Sequence, residues 1–304
     1  CNLWIHSETE ANAMTVMQSR HELMITTPEG PRRMAYQLWQ SSERSDQPLI
    51  ICVHGLTRNS HDFDALAEVL AKQARVVCPD VLGRGDSEWL LTPALYGYPL
   101  YISQMQQFLA QLNIDYGNPP LYWVGTSMGG LIGMMLAAMP GACGIEKLIM
   151  NDVGPFVPYA ALERLGDYVG KAPLFTDVAA AEQWLRRIAA PFGPLTDEQW
   201  QHLARYGTEP DPDNSGQLRV RYDPAIAEGF ALVTGDVDLS MVWQAVVCPV
   251  LVIRGGDSDL LLPETARSML QREDTRLVEF PGIGHAPMLM ARDQIKAVQE
   301  FLNG

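Results

Sequence analysis

A regular alternation of apolar runs with helical segments constrains the fold of this chain more than any other feature. From about residue 49, continuous apolar runs are separated by segments whose apolar residues recur at helical spacing. Continuous runs are typical of strands covered on both faces, as in a parallel sheet with crossover helices. The sequence therefore predicts an α/β fold with a mostly parallel sheet flanked by helices. The predicted strands are 49–55, 75–80, 121–127, 147–154, 250–256 and 275–280, and the predicted helices are 61–73, 98–113, 128–139 and 291–302.

Two segments depart from this alternation. Residues 21–39 suit an antiparallel hairpin at one edge of the sheet. Residues 155–243 separate two successive strands and are far longer than a simple crossover requires. We expect them to form a helical cap over the carboxyl edge of the sheet, where open α/β sheets bind ligands. The alternative is a self-packed subdomain. The expected α/β core then comprises residues 21–154 and 244–304.

The start of the chain is set apart from this core. Residues 1–20 are expected to be an irregular extension, because residues 1–13 show neither an apolar period nor a signal-peptide pattern. A processed lipoprotein would also begin with a cysteine, as this chain does with Cys1. The preferred interpretation is an upstream extension, with Met14 or Met17 as the natural start.

Composition limits the possible partners. The chain has 22 Lys and Arg against 36 Asp and Glu, a formal net charge of −14, so its surface repels the phosphates of nucleic acids. No apolar run approaches the roughly 18 residues of a membrane span. The five cysteines (Cys1, Cys52, Cys78, Cys143 and Cys248) lack CxxC spacing, and three of them, Cys52, Cys78 and Cys248, lie inside apolar runs. Buried reduced thiols are therefore predicted, which favours the cytoplasm.

A candidate nucleophile stands between a predicted strand and a predicted helix. Residues 125–129 have the pattern G-x-S-x-G around Ser127. A serine on such a tight turn needs flanking glycines, since side chains there would collide with neighbouring elements. Its hydroxyl would then project above the sheet at a helix N-terminus, which favours developing negative charge. The alternative is a serine that only caps the helix.

A serine hydroxyl needs a base to take its proton, and the base needs a carboxylate partner. Among the six histidines, His285 lies in a glycine-rich loop after the last predicted strand and is the preferred base. The carboxylate is expected after the preceding strand, where Asp257 and Asp259 both stand. Spacing alone does not separate these two, because Asp257 could instead hold the turn through backbone hydrogen bonds.

The oxyanion of an acyl-transfer reaction also needs donors. The backbone N–H of Met128, directly after the serine, is one candidate, and the backbone N–H of Leu56, after the strand at 49–55, is the other. His54, directly before that loop, is expected chiefly to order the loop. The residues considered for substrate contact are His54 itself, Arg58, Trp184 and Phe156.

Together these motifs closely resemble the α/β-hydrolase superfamily, from about residue 22 to the C-terminus. The resemblance implies that Asp259 is the acid, because Gly256, Asp259 and Pro263 fit the superfamily's G-x-x-D-x-x-x-P turn. It is strongest for the esterase, enol-lactonase and meta-cleavage hydrolase branch, which uses no metal or organic cofactor. The motifs that carry it are HGLTRNSHDF (54–63), PDVLGRGDS (79–87), GTSMGG (125–130), GGDSDLLLP (255–263) and GIGHAP (282–287).

The resemblance implies a serine hydrolase that cleaves small or medium carboxylic esters through Ser127, His285 and Asp259. An enol-lactone or C–C bond hydrolase with the same triad is the alternative, although HGLT replaces the glycine- and proline-rich oxyanion loop of the C–C hydrolases. Haloalkane dehalogenases are not resembled, because they have an aspartate where this chain has Ser127. A non-catalytic receptor is a further alternative.

Overall fold

The structure of the protein, a computed structural model, describes residues 15–41, 47–139, 141 and 144–304. The expectations for residues 1–13 and for Cys143 lie outside the described residues. The prediction of an irregular extension up to residue 20 is wrong for residues 16–20, because the first strand already begins at Val16.

The first part of the core alternates strands and helices in close agreement with the apolar runs. The hairpin predicted at 21–39 is present as two longer antiparallel strands. The elements are β1 (Val16–Thr27), β2 (Gly30–Ser41), β3 (Leu49–Val53), a 3-10 helix (Ser60–Phe63), α1 (Asp64–Leu70), β4 (Arg75–Pro79), a 3-10 helix (Pro93–Leu95), α2 (Tyr98–Tyr116), β5 (Leu121–Thr126), α3 (Met128–Ala137) and β6 (Ile145–Asn151).

Short helices and two- or three-residue strands then form the insertion, after which the chain returns to the core. The insertion comprises β7 (Phe156–Val157), α4 (Tyr159–Gly166), β8 (Leu174–Phe175), α5 (Val178–Ile188), a 3-10 helix (Ala190–Phe192), α6 (Asp197–Tyr206), β9 (Thr208–Pro210), β10 (Leu218–Val220), α7 (Ile226–Phe230), β11 (Val237–Asp238) and α8 (Ser240–Gln244). The final elements are β12 (Val250–Gly255), α9 (Pro263–Met269), β13 (Thr275–Phe280) and α10 (Arg292–Asn303).

Across the described ranges, eight strands form one sheet in the order β1-β2-β4-β3-β5-β6-β12-β13. Within this order, the strands β4, β3, β5, β6, β12 and β13 pair with their neighbours in parallel. Strand β2 joins them antiparallel to β4. The hairpin of β1 and β2 therefore closes one edge, as predicted. The carboxyl ends of β5, β6, β12 and β13 meet at a single edge, which is where a ligand site is expected.

The packing on the two faces explains why the strands are continuously apolar. In β3, Leu49 and Ile51 pack into the cluster that contains Phe108 of α2, whereas Ile50 packs into the cluster that contains Val298 of α10. Successive side chains of a strand point to opposite faces, so a strand buried on both faces needs an apolar residue at every position.

The insertion packs directly against the core. Trp200 and Leu203 of α6 form a cluster with Met288 and Met290, which lie between β13 and α10. A second contact comes from the backbone N–H of Gly284, which donates to the carbonyl of Pro191 at 2.7 Å. The insertion therefore packs on the loop that carries His285.

Cys52, Cys78 and Cys248 are buried free thiols, as predicted. Burial raises the pKa of the Cys248 thiol to about 11.

None of the helices in the described ranges combines the length and the apolar character that crossing a membrane requires.

Candidate active site

Ser127 lies on a strained turn between β5 and α3. Its φ of 51° is in the left-handed region, which is uncommon for a residue other than glycine. The turn is held by the backbone N–H of Ser127, which donates to the carbonyl of Asn151 at 2.9 Å. A Cβ atom at Gly125 would collide with the carbonyl of Gly129, and one at Gly129 would collide with the carbonyl of Val53. Glycines are therefore required on both sides of Ser127, and strain at this point is typical of functional residues.

His285 lies beside this serine, as the sequence predicts. Its Nε2 atom is 2.9 Å from the Oγ atom of Ser127, within hydrogen-bond distance. The loop between β13 and α10 carries the imidazole across the carboxyl edge of the sheet. Only 8% of the His285 side chain is exposed, so a proton can pass between the two side chains largely shielded from water.

The carboxylate that contacts His285 is Asp152, directly after β6. The Nδ1 atom of His285 donates to Oδ2 of Asp152 at 2.8 Å. Asp152 is fully buried, and two further donors satisfy its carboxylate. The backbone N–H of Gly255 donates to Oδ1 at 2.8 Å, and the hydroxyl of Ser258 donates to Oδ2 at 2.6 Å. These hydrogen bonds stabilise a buried negative charge and fix the carboxylate opposite the imidazole.

The prediction that Asp259 contacts His285 is therefore wrong. Asp259 instead forms an ion pair with Arg164 of the insertion, with oxygen to nitrogen distances of 2.5 and 2.8 Å. Asp257 is also turned to the surface. The turn after β12 directs Ser258 inward, because the Ser258 hydroxyl binds Asp152 and accepts the backbone N–H groups of Leu260 and Leu261. The carboxylates on either side of Ser258 consequently point outward.

A signal for Asp152 is present in the sequence. It lies near the end of the predicted strand 147–154, the strand that follows the candidate nucleophile. Because parallel strands end at the same edge, a carboxylate at the end of this strand lies near Ser127.

The backbone of Asp152 has a positive φ of 54°, and the N–H of Asp152 donates to the carbonyl of Ile253 at 2.7 Å. These two features turn the side chain toward His285.

The two proposed oxyanion donors belong to segments that a buried arginine holds together. The Nε atom of Arg84 donates to the carbonyl of Leu56 at 2.8 Å, and its Nη2 atom lies 3.7 Å from the sulfur of Met128. Leu56 also lines the cavity around Ser127. Arg84 is fully buried, so it fixes the loop after β3 against the start of α3.

His54 is a structural residue, and its candidacy for substrate contact is wrong. It is fully buried, with Nε2 accepting the backbone N–H of Val81 at 3.0 Å and Nδ1 donating to the carbonyl of Gly55 at 2.7 Å. Burial lowers the pKa of His54 to about 3, and the nearby charges of Arg84 and Arg58 act in the same direction. The imidazole is therefore neutral and orders the loop that carries Leu56.

Two adjacent cavities, called the two lobes of the site, share Leu56, Ser127 and Leu165 in their linings. Of the residues predicted to contact substrate, Trp184 and Arg58 line the first lobe. Phe156 lines neither lobe and pairs instead with Asp238 of β11. The first, called the polar lobe, is also lined by Arg58, Asp62, Arg164, Tyr168, Trp184, Val220 and His285. The second, called the apolar lobe, is also lined by Tyr98, Met128, Leu131, Val153, Val157 and Phe230.

In the part of the chain that the structure describes, no three His, Cys, Asp or Glu side chains are grouped so that they could hold a metal ion. Ser127, His285 and Asp152 form one continuous chain of hydrogen bonds.

Known proteins of similar sequence and fold are hydrolases. A 3-hydroxybutyrate-oligomer hydrolase from Cupriavidus necator is 40% identical over 286 residues, which cover 91% of this chain and 95% of that protein. A putative hydrolase from Rickettsia typhi has a crystal structure with a TM-score of 0.82 and 34% identity, covering 95% of this chain and 99% of its own. An alpha/beta hydrolase from Novosphingobium aromaticivorans has a TM-score of 0.83 and 34% identity, covering 94% and 99%. Residues 50–298 match the alpha/beta hydrolase family, and the chain belongs to that family.

Proposed function

We propose that this hydrolase cleaves carboxylic esters of small or medium size through an acyl-enzyme intermediate on Ser127. The observation that carries the proposal is the chain of hydrogen bonds from Ser127 through His285 to Asp152, at 2.9 and 2.8 Å. A nucleophile, a base and an orienting carboxylate are thus in contact beneath a cavity. A receptor would need the cavity but not this chain, so an enzyme is the better explanation.

The proposed reaction has two halves. In the first half, His285 takes the proton of the Ser127 hydroxyl while the Oγ atom of Ser127 attacks the acyl carbon. The backbone N–H groups of Leu56 and Met128 bind the resulting oxyanion. The bond to the alcohol then breaks, and His285 gives its proton to the departing oxygen. In the second half, His285 takes a proton from water, the resulting hydroxide attacks the acyl carbon, and the serine leaves with that proton.

Asp152 supports both halves without giving up its charge. Its carboxylate holds the Nδ1–H tautomer of His285, so the lone pair of Nε2 faces the serine hydroxyl. It also stabilises the imidazolium that forms after proton transfer. Because Ser258 and Gly255 already donate to it, the carboxylate is held in place before substrate binds.

Short oligomers of 3-hydroxybutyrate are the first substrates to test. They are chains of small esters, and the relative from Cupriavidus necator that is 40% identical carries this substrate in its name. An acyl unit of this size suits the apolar lobe beside Ser127, which aromatic and aliphatic side chains line.

The test is hydrolysis of the 3-hydroxybutyrate dimer and of p-nitrophenyl acetate, butyrate, octanoate and laurate. Wild type and Ser127→Ala are compared, with circular dichroism to show that both are folded. We expect wild-type turnover of the dimer and of the short esters, with a loss of at least about 10³-fold in the variant. Quenched wild-type reactions should also contain a protein mass increased by one acyl group, on the peptide that includes Ser127.

Two results would overturn the proposal. If folded wild type hydrolysed no ester, the same triad would have to serve enol-lactone or C–C substrates instead. If Ser127→Ala retained the wild-type rate, another residue would be the nucleophile. Turnover of p-nitrophenyl esters without turnover of the dimer would retain the ester hydrolase and reject the oligomer substrate.

A further inference from the structure

The position of His285 indicates which lobe receives which half of an ester. This inference rests on the proposed ester hydrolysis. The group that protonates the departing alcohol must lie on the same side of the acyl carbon as that alcohol. His285 lines the polar lobe, whereas Met128, one of the proposed oxyanion donors, lines the apolar lobe. The alcohol half therefore lies in the polar lobe and the acyl half in the apolar lobe.

Two arginines give the polar lobe its character. Arg58 comes from the loop after β3, and its Nε and Nη2 atoms donate to the carboxylate of Asp62 at 2.9 and 2.6 Å. Arg164 comes from α4 of the insertion, and the same two atoms donate to Asp259 at 2.5 and 2.8 Å. In both, the ion pair occupies one edge of the guanidinium. The Nη1 group of each, which has no protein acceptor within the described ranges, is left for a ligand.

Each arginine of this lobe is paired with one carboxylate. Arg58 pairs with Asp62 inside the lining, and Arg164 pairs with Asp259, which lies outside the lining with 48% of its side chain exposed. These four side chains carry no net charge, in contrast to the net charge of −14 of the whole chain. An anion is therefore repelled less here than elsewhere on the surface, and the two Nη1 groups can donate hydrogen bonds to it.

Tyr168 lines the polar lobe together with both arginines. Burial raises the pKa of its phenol, the positive charges of Arg164 and Arg58 lower it, and the negative charge of Asp259 raises it. The phenol is therefore neutral at neutral pH and adds a hydrogen-bond donor to the lobe. Guanidinium and phenol donors in one lobe are suited to a carboxylate.

We propose that the polar lobe binds a carboxylate on the alcohol half of the ester, through Nη1 of Arg58 and Nη1 of Arg164. The enzyme then selects esters whose alcohol is a hydroxy acid with a free carboxyl group. Arg58 belongs to the core and Arg164 to the insertion, so the carboxylate bridges both. For an oligomer of 3-hydroxybutyrate, cleavage takes place at the ester nearest to the carboxyl end.

The test compares two substrates that differ only in charge. One is the 3-hydroxybutyrate dimer with its free carboxylate, and the other is its carboxamide, which has the same shape and no charge. The readout is the ratio of the two kcat/KM values, because any general loss of activity cancels in the ratio. We expect wild type to prefer the carboxylate by about 10- to 100-fold, the usual worth of charged hydrogen bonds.

Three variants then assign this preference. Arg164→Gln should lower the ratio by about tenfold, with most of the change in KM. The double variant Arg58→Gln/Asp62→Asn should lower it similarly and leaves no unpaired buried aspartate. Arg187→Gln is the matched control, because it removes the same charge from an exposed position on α5, outside both lobes. It should keep the wild-type ratio.

The outcomes separate this inference from the proposed function. Equal rates of wild type on the carboxylate and the carboxamide would overturn the carboxylate site and leave ester hydrolysis intact. A preference that survives in both arginine variants, or that Arg187→Gln lowers equally, would also overturn it. Loss of turnover on every ester, including p-nitrophenyl butyrate, would instead overturn the proposed function.

Discussion

Asp152 accepts a hydrogen bond from His285 at 2.8 Å, although the two residues are 133 positions apart in the chain. The turn that in the resembled superfamily holds the acid provides Ser258, which donates to the same carboxylate at 2.6 Å. The carboxylate therefore comes from the end of β6, and the turn after β12 supports it. Asp259 does not contact His285 and instead forms the ion pair with Arg164 that joins the core to the insertion.

The first prediction separates the two aspartates. Asp152→Asn should lower kcat for p-nitrophenyl butyrate by about 10³- to 10⁴-fold, because an amide no longer holds the required tautomer of His285 or stabilises its positive charge. Asp259→Asn is the matched change and should stay within about threefold of wild type, since an exposed ion pair contributes little. Steady-state kinetics of both variants provide the measurement. A larger loss for Asp259→Asn than for Asp152→Asn would reverse the assignment.

The second prediction concerns the turn around Ser127. Gly129→Ala places a methyl group against the carbonyl of Val53, so backbone must move. We expect a loss of at least about 1–3 kcal/mol of unfolding free energy, or roughly 2–4 °C of melting temperature per kcal/mol. Gly235→Ala is the control, because a Cβ at Gly235 meets nothing within 4 Å. Calorimetry that gave equal melting temperatures for the two variants would contradict the collision.

The third prediction concerns acid stability. The pKa of buried His54 falls from 6.5 to about 3, so the unfolded chain binds a proton that the folded chain refuses. Its contribution is complete above pH 6.5 and is lost as the pH falls toward 3. Between pH 7.5 and pH 5, wild type should lose about 2 kcal/mol from this group.

His54→Gln removes the titrating group and should make this pH dependence shallower by that amount. The variant is expected to be less stable at pH 7.5, so the comparison is the change with pH and not the absolute value. Urea unfolding at both pH values measures it. An identical slope in wild type and variant would show that His54 is not buried in its neutral form.

The fourth prediction tests the two lobes with one pair of matched substitutions. Val157 lines the apolar lobe and Val220 the polar lobe, and both are 3% exposed. Val157→Phe should lower the ratio of kcat/KM for p-nitrophenyl octanoate over acetate by about tenfold, because a bulkier side chain excludes long acyl chains. Val220→Phe should leave this ratio at the wild-type value, since it narrows the alcohol side. If Val220→Phe changed acyl preference and Val157→Phe did not, the lobes would be assigned the wrong way round.

The insertion illustrates how far local patterns reach. Its length and aromatic content predict a cap near the carboxyl edge, and Trp184 does line the cavity. Phe156 is an aromatic residue of the same insertion, but it lies in a short strand and pairs with Asp238 instead. Composition does not distinguish them, because the direction of each side chain depends on which neighbour its helix or strand packs against.

The sequence by itself determined the strands of the core, its helices other than α9, the edge hairpin, and the placement of Ser127 and His285. These follow from local rules: apolar periodicity, and a turn that only glycines allow around the serine. Only the tertiary structure decided that Asp152 and not Asp259 contacts His285, and that Arg58 and Arg164 share one lobe. Such choices depend on the backbone angles at strand ends and on hydrogen bonds between distant segments. Spacing along the chain leaves several carboxylates equally near the edge of the sheet, and the packing of neighbouring strands and turns selects the one that points inward.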